Sequence, residues 1–437
     1  MAIPPFDAIV LADSPLAAVR IAGLTARERA LRVAQRVGAA RVQVVDDAAT
    51  RAELVAWRGE SGVPVLVLRA DQLVHPPLAQ PLVDWLAAGG TGAAITVGDL
   101  PSTYAGAFVV TGDTVATAIA ALARGEPDTQ VVAGPLAAAA RVPHGAIARH
   151  PIATPDERRA AHRLLYKILI KPQDNAITRY LYRPVSFPLT RVLAWTPITP
   201  NQISYLVAVL VALGCWVTAH ASFTAAFAGT AIVLAASYLD CCDGEIARLK
   251  LRSSRIGAWL DTIIDELSSL GYMAALGWHC HLAFGPGYLG ALPFDPWTTA
   301  VAISIVTFGA SIYFIYYNII VAVGSANSQD YAGRFDVVPG SAPDAVRLRP
   351  AAPVATTREL PRWLRPIAIY LPYIVRRDFI SWAATVLAAL HLTQIAFGTL
   401  VAGGVGTVII LTIDHVRLRT LRRTITRSGQ VLEAPSR

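Results

Sequence analysis

Residues 240–265 read DCCDGEIARLKLRSSRIGAWLDTIID, and this stretch decides how the rest of the chain is read. Asp240 and Asp243 are three positions apart and Asp261 and Asp265 four apart, so on helices each pair shares a face. The basic segment Lys250–Arg255 between the pairs reads as a turn that brings two antiparallel helices together with their carboxylates at neighbouring ends. The flanking sequence on both sides is apolar enough to be membrane helix. An aspartate in such a helix costs about 2.5–3.5 kcal/mol, so the set costs about 10 kcal/mol before mutual repulsion. A cation must balance it. An oxygen-only ligand set selects a hard ion, so Mg²⁺ or Mn²⁺ is expected, with Ca²⁺ as a further candidate. Two such ions can clamp a pyrophosphate. A carboxylate not committed to metal can accept a proton from an attacking hydroxyl.

Working outward, six membrane-length helices are readable at about 201–220, 224–249, 256–280, 298–323, 377–395 and 398–417. Their connections near 220–224, 281–297 and 395–398 contain no Lys or Arg. The opposite ends carry Arg248, Lys250, Arg252 and Arg255, the arginines of 326–376, and the tail Arg417–Arg427. The positive-inside rule then puts the aspartates, the N-terminal half and the C-terminus on the cytoplasmic side of the inner membrane. The 326–376 segment, rich in Pro, Ala and Arg, reads as a long cytoplasmic insertion between the fourth and fifth spans. Trp259, Trp278, Trp297 and Trp382 fall near span ends, where aromatic belts occur.

Composition agrees with a membrane protein. The 437 residues are 54% hydrophobic and 16% charged, with a net charge of +8 and a mean hydropathy of +0.47. The positive charge suits a membrane face or anionic phosphates and gives no particular reason to expect nucleic acid. Cys215, Cys241, Cys242 and Cys280 lie in apolar stretches without a CxxC pair, which excludes a disulfide framework or a zinc site. His279-Cys280-His281 reads as interfacial residues, because consecutive helical side chains diverge. The opening MAIPPFDAIVLAD lacks the basic and apolar regions of a signal peptide.

Residues 1–150 follow a different grammar. Apolar runs of strand length at Ala8–Leu11, Val42–Val45, Val63–Leu68, Ala94–Val97 and Phe108–Thr111 alternate with helical stretches Thr25–Val37, Pro77–Ala88 and Thr114–Ala123. This predicts a Rossmann-like α/β domain with a largely parallel sheet. Residues 151–198 form the juxtamembrane connection. Within it, Asp156–Lys171 places Leu164, Leu165, Ile168 and Leu169 on one helical face and basic groups on the other. It reads either as a helix lying on the membrane or as a packed connector.

The order D-x2-D-G-x2-A-R-x8-G-x3-D-x3-D is met by Asp240, Asp243, Gly244, Ala247, Arg248, Gly257, Asp261 and Asp265. It resembles the signature of the CDP-alcohol phosphotransferases, which build phospholipids and related phosphodiesters in six-helix membrane domains. Thr199-Pro200-Asn201-Gln202 is similar to that family's entry into the helical domain, here taken as residues 199–425. The resemblance implies two divalent ions held by Asp240, Asp243, Asp261 and Asp265, with Asp265 also the general base. It implies that Gly244, Ala247, Arg248 and Gly257 border the CDP moiety, that CMP is released, and that the protein is a homodimer. Arg255, Arg376 and Arg377, at span ends, are candidates for the acceptor's phosphate or headgroup; positive-inside anchoring explains them equally. Family members that accept inositol phosphate often carry an arginine after the last motif aspartate, where this chain has Glu266.

The segments Ala8–Asp13, Gly23–Ala30 and Ala39–Val45 resemble the start of sugar-nucleotide nucleotidyltransferases, with Asp71 where those enzymes place a metal-binding aspartate. Such a domain fused to this membrane domain is known in enzymes that make CDP-inositol and then use it. The expected Gly-rich phosphate loop is replaced by DSPLAAVRIAGL, which predicts a domain without activity. The competing functions are a bifunctional cytidylyltransferase–phosphotransferase and an ion transporter with intramembrane acids.

Overall fold

The computed structural model describes residues 4–435 except 60–61, 99–102, 171–176, 286–294, 325–330, 343 and 352–376. The chain forms two compact units. One comprises residues 1–172 with 191–197 and 245–252; the other comprises 173–190, 198–244 and 253–437.

The first unit is built on a six-stranded sheet in the order Val42–Val45, Asp7–Leu11, Val65–Arg69, Tyr104–Val110, Ala93–Val97, Ala140–Pro143. Alternation along the strands sends side chains into two core layers. Ala8, Val10, Leu66 and Leu68 pack with Val33, Leu78 and Leu82 on one face. Ile9, Val65, Val67 and Phe108 pack with Ile119 and Leu122 on the other. Each buried Leu or Val contributes about 1.5–3 kcal/mol. The first three strands are mutually parallel, as expected. The sheet is largely parallel, as expected, with five strands running one way and only Tyr104–Val110 antiparallel to both its neighbours. The 98–103 connection before it is too short for a crossover, so the chain can only fold straight back. The edge strand Ala140–Pro143 was not legible, because ARVP carries one β-former and ends in proline.

Capping boxes set helix starts in this unit, among them one at Asp47 and Thr50 that opens Ala48–Ala52. Thr25 opens Ala26–Arg36 with Glu28 as its reciprocal partner. Thr154 opens Pro155–Lys167 with Glu157. The latter helix buries Ala161 and Leu165.

Among the described residues, four helices are long and apolar enough to cross a membrane: Pro200–Thr218, Phe223–Leu249, Pro296–Val323 and Thr393–Arg427. The second unit is the helical part of a membrane protein. Of the two other expected spans, 256–280 is a single helix, Arg255–Phe284, whose acids Asp261, Asp265 and Glu266 dilute its hydropathy. The other, 377–395, is the shorter helix Arg377–Ala389, and the residues before it lie outside those described. Arg255–Phe284 packs against Pro200–Thr218, Pro296–Asn318 and Thr393–Arg427, which makes it the centre of the bundle. Pro200–Thr218 and Phe223–Leu249 meet at Gly214 and Gly229. A Cβ on Gly229 would lie 2.5 Å from the Gly214 carbonyl oxygen, so only glycine fits this crossing. Outward-facing Tyr205, Leu206, Val209, Leu213 and Trp216 are about half exposed or more, an apolar surface suited to lipid.

The described residues of the 326–376 segment form a small sheet with the tail. Phe335–Pro339 and Ala345–Pro350 form an antiparallel pair, and Val431–Leu432 from the C-terminal tail adds a parallel third strand.

Candidate active site

The site begins at Thr199. Its hydroxyl accepts from the Gln202 amide at 3.4 Å, Gln202 Oε1 accepts from the Thr199 amide at 2.9 Å, and Pro200 takes the first helical position. The TPNQ stretch is therefore a capping box with proline at its preferred place. Ser204 follows one turn into the helix. Its hydroxyl donates to Asp243 Oδ2 at 2.6 Å. Asp243 is 7% exposed, so this bond orients a carboxylate that has little access to water.

Asp240 and Asp243 come from Phe223–Leu249 and Asp261 from Arg255–Phe284. Each offers one carboxylate oxygen, and the three oxygens lie within 4.8 Å of one another. At such spacing two ionised carboxylates repel by about 3–4 kcal/mol at an effective dielectric constant of 20. Three acids on two helices, all part-buried or buried, call for a counter-cation. Oxygen-only donors at nearly the spacing of ligands around one ion fit a hard divalent metal, with Ser204 supporting one ligand from behind. Asp265 sits one turn beyond Asp261 and stands outside this group of three; its carbonyl accepts from Ser269 Oγ at 3.0 Å.

Gly257 occupies the first turn of Arg255–Phe284, where its amide donates to the capping Ser254 Oγ at 2.9 Å. A Cβ there would lie 3.0 Å from Ser254 Oγ and 3.2 Å from Asn201 Oδ1. The glycine thus keeps the surface open between the TPNQ cap and the second aspartate helix. Gly244, Ala247 and Arg248 lie on the continuation of the first aspartate helix. The expected acceptor residues are not placed: Arg376, and the side chains of Arg255 and Arg377, lie outside the described residues.

The first aspartate helix ends in a Schellman motif. Arg252 N–H donates to the Ala247 carbonyl at 2.8 Å and Leu251 N–H to that of Arg248 at 3.3 Å. Leu251 takes φ +52, a position that usually holds glycine. Within the first unit this turn is held three ways. Lys250 Nζ donates to the Thr196 carbonyl at 2.6 Å, Arg32 donates to the Lys250 carbonyl at 2.7 Å, and Leu251 packs on the hydrophobic core.

The turn falls where the basic segment Lys250–Arg255 predicts one, but Ser204 and the contacts that anchor the turn carry no distinguishing sequence pattern. His279 is fully buried and bridges the His220 carbonyl (2.7 Å) and Thr393 Oγ1 (3.1 Å), an inter-helix link at the ends of the helices.

In the first unit the acid expected to bind metal is already neutralised. Asp71 accepts from Arg69 Nε at 3.0 Å and from a second nitrogen of the same guanidinium. Arg69 also lies 3.8 Å from buried Asp128, whose carboxyl is pushed up by burial. Asp13, just beyond the first strand, is paired with Arg51. Both acids at these strand ends are occupied by arginine.

Residues 197–343 match the family model for CDP-alcohol phosphatidyltransferase. Curated relatives include three proteins named bifunctional IPC transferase and DIPP synthase. The one from Aquifex aeolicus is 35% identical over 127 residues, 29% of this chain and 28% of the relative. That from Rubrobacter xylanophilus is 34% identical over 31% of each chain. That from Thermococcus kodakarensis is 32% identical over 29% of this chain and 28% of its own. The similarity thus spans under a third of these relatives. The spaced motif, the three converging carboxylates and the matched residues agree, and the chain carries a domain of the CDP-alcohol phosphatidyltransferase family.

Proposed function

We propose that this protein is a membrane CDP-alcohol phosphotransferase. It moves a phosphoalcohol group from a CDP-alcohol to an acceptor hydroxyl and releases CMP. The single observation that carries the reading is the convergence of Asp240, Asp243 and Asp261 from two helices within 4.8 Å. In this proposal residues 199–425 form a six-span domain with 326–376 inserted, residues 151–198 join it to the 1–150 domain, and the protein works as a homodimer in the inner membrane with its site facing the cytoplasm.

Asp240, Asp243 and Asp261 would hold two divalent ions, Mg²⁺ or Mn²⁺, with Asp265 as a fourth ligand. The ions would supply charge neutralisation at the pyrophosphate. Gly244, Ala247 and Gly257 leave room for the CDP moiety and Arg248 balances its charge. Asp265, one turn along from the metal group, takes the proton of the acceptor hydroxyl. That oxygen attacks the β-phosphorus, the bond to the bridging oxygen breaks, and CMP leaves with the electron pair. Arg255, Arg376 and Arg377 would receive an anionic acceptor. The names of the relatives favour a phosphoinositol-type donor; Glu266, where inositol-phosphate acceptors go with arginine, favours a different acceptor.

The test is CMP release by purified full-length protein supplied with CDP-inositol or CDP-diacylglycerol and candidate alcohols. Activity that is lost with a chelator and restored by Mn²⁺ supports the proposal. No CMP from any donor in the presence of metal, or a metal-dependent ion flux in its place, rejects it.

The relatives' names also favour a second reading, in which the N-terminal half makes the CDP-alcohol. The Arg69–Asp71 and Arg51–Asp13 pairs weigh against it, since each arginine sits where a metal–triphosphate complex needs a free acid. Pyrophosphate release by the full chain from CTP and inositol phosphate would establish it.

A further inference from the structure

The helix Thr393–Arg427 changes character at Asp414. Residues 393–413 contain no Asp, Glu, Lys or Arg. At 1.5 Å per residue they cover about 32 Å, against a hydrocarbon core of about 30 Å. The residues that follow, including Arg417, Arg419, Arg422, Arg423 and Arg427, therefore emerge at headgroup level. Asp414 is accounted for locally by Arg417 at 3.3 Å and Tyr331 at 3.4 Å.

Two of these arginines are held by the neighbouring helix. Arg419 Nη2 donates to Tyr313 Oη at 2.9 Å and Arg422 Nη1 to Tyr317 Oη at 2.6 Å. Both guanidinium carbons also lie over the Tyr317 ring, at 5.3 and 5.8 Å. His415, one turn earlier and 9% exposed, packs its ring against Tyr313, Phe314 and Tyr317 at centroid distances of 4.6 to 5.3 Å. The tyrosines are thereby fixed, and they fix the guanidinia. Among the described residues neither Arg419 nor Arg422 is paired with a carboxylate. Each uses one N–H on a tyrosine and has others to give.

A basic stretch that served only as a topological anchor would gain nothing from this preorganisation, since such anchoring needs charge and no geometry. Two guanidinia one helical turn apart, steered toward the same ring at headgroup depth, match the oxygens of one phosphodiester. We infer that Tyr313, Tyr317, Arg419 and Arg422 form a binding site for the phosphate of an acidic phospholipid. The depth favours a lipid over a free anion, because a phosphate on an acyl chain is delivered to that level. The site uses none of the motif residues and does not depend on the proposed reaction.

The experiment is lipid retention by delipidated full-length protein in detergent, read by native mass spectrometry after adding phosphatidylglycerol, phosphatidylcholine or inorganic phosphate. Wild type should retain phosphatidylglycerol selectively. The double variant Arg419→Gln/Arg422→Gln should lose about 10- to 30-fold in affinity, the loss expected of two basic groups near a membrane surface. Tyr313→Phe/Tyr317→Phe keeps every charge and nearly every atom, and should lose about 3- to 10-fold. Unchanged retention in the tyrosine variant overturns the site, as does equal retention of phosphatidylcholine. Displacement of the lipid by millimolar inorganic phosphate overturns the lipid assignment in favour of a free anion.

Discussion

Ser204 Oγ lies 2.6 Å from Asp243 Oδ2, so a hydroxyl on one membrane-length helix holds a carboxylate of the acidic cluster on the next. Ser204→Ala removes that donor from a buried acid. Groups that orient metal ligands in this way are worth about 10- to 100-fold in metal affinity or activity. The expected result is a Mn²⁺ activation curve shifted by about that factor, with maximal CMP release largely recovered at saturating metal. An unshifted curve would show that Asp243 needs no orienting.

Asp265 and Asp261 should behave differently, because only Asp261 belongs to the three-oxygen group. Asp261→Asn is expected to abolish both metal-dependent binding of the CDP-alcohol and turnover. Asp265→Asn should lower turnover by about 10²- to 10⁴-fold, the usual worth of a general base, with donor binding retained. Calorimetric titration of the two variants beside CMP release separates the roles. Turnover at the wild-type rate by the Asp265 variant would remove it from the mechanism.

Gly257→Ala tests the opening between the TPNQ cap and the second aspartate helix. The added methyl would press on Ser254 Oγ and Asn201 Oδ1, at 3.0 and 3.2 Å. Overpacking of this kind costs about 1–3 kcal/mol. The expected effect is a KM for CDP-alcohol raised about tenfold, with a smaller change in the melting temperature.

His75 gives the first unit an acid sensitivity. Burial first, and Arg29 second, hold its imidazole down to about 4 from an ordinary 6.5. The unfolded chain therefore takes up a proton that the folded one refuses as pH falls from 6.5 to 4. Stability is flat above that window and is lost within it, by about 3 kcal/mol in all. Amide exchange in the adjoining helix Pro76–Ala87 should quicken between pH 7.5 and 4.5 in the wild type. In His75→Gln the change should be much smaller.

The acidic site was legible because its constraint is local. Charges in apolar helices stand out, and helical spacing fixes which of them share a face. Strands such as Val65–Arg69 were legible for a similar reason, since both faces of the sheet are covered there and the run Val65–Leu68 is continuously apolar. What escaped depends on distant parts of the chain. The hydroxyl of Ser204 acquires its role from a residue on another helix, and Ala345–Pro350 acquires its second neighbour from Val431–Leu432 in the tail. The Arg69–Asp71 pair lay only two residues apart, yet the sequence left open whether that acid faced solvent, a metal or its neighbour.

Leu251 closes the first aspartate helix in a left-handed conformation that costs a non-glycine residue about 1–2 kcal/mol, and its part-buried side chain packs against the core of the first unit. Arg32 and Lys250 bind the same turn by hydrogen bonds. The end of that helix is thus a fixture of the N-terminal half, whatever chemistry that half has kept or lost. Cutting away residues 1–150 would remove the ground on which the helix end stands. An inactive truncated protein would then report the loss of this anchor, whereas point changes at Arg69 and Asp71 leave the turn in place and read the N-terminal half's own chemistry.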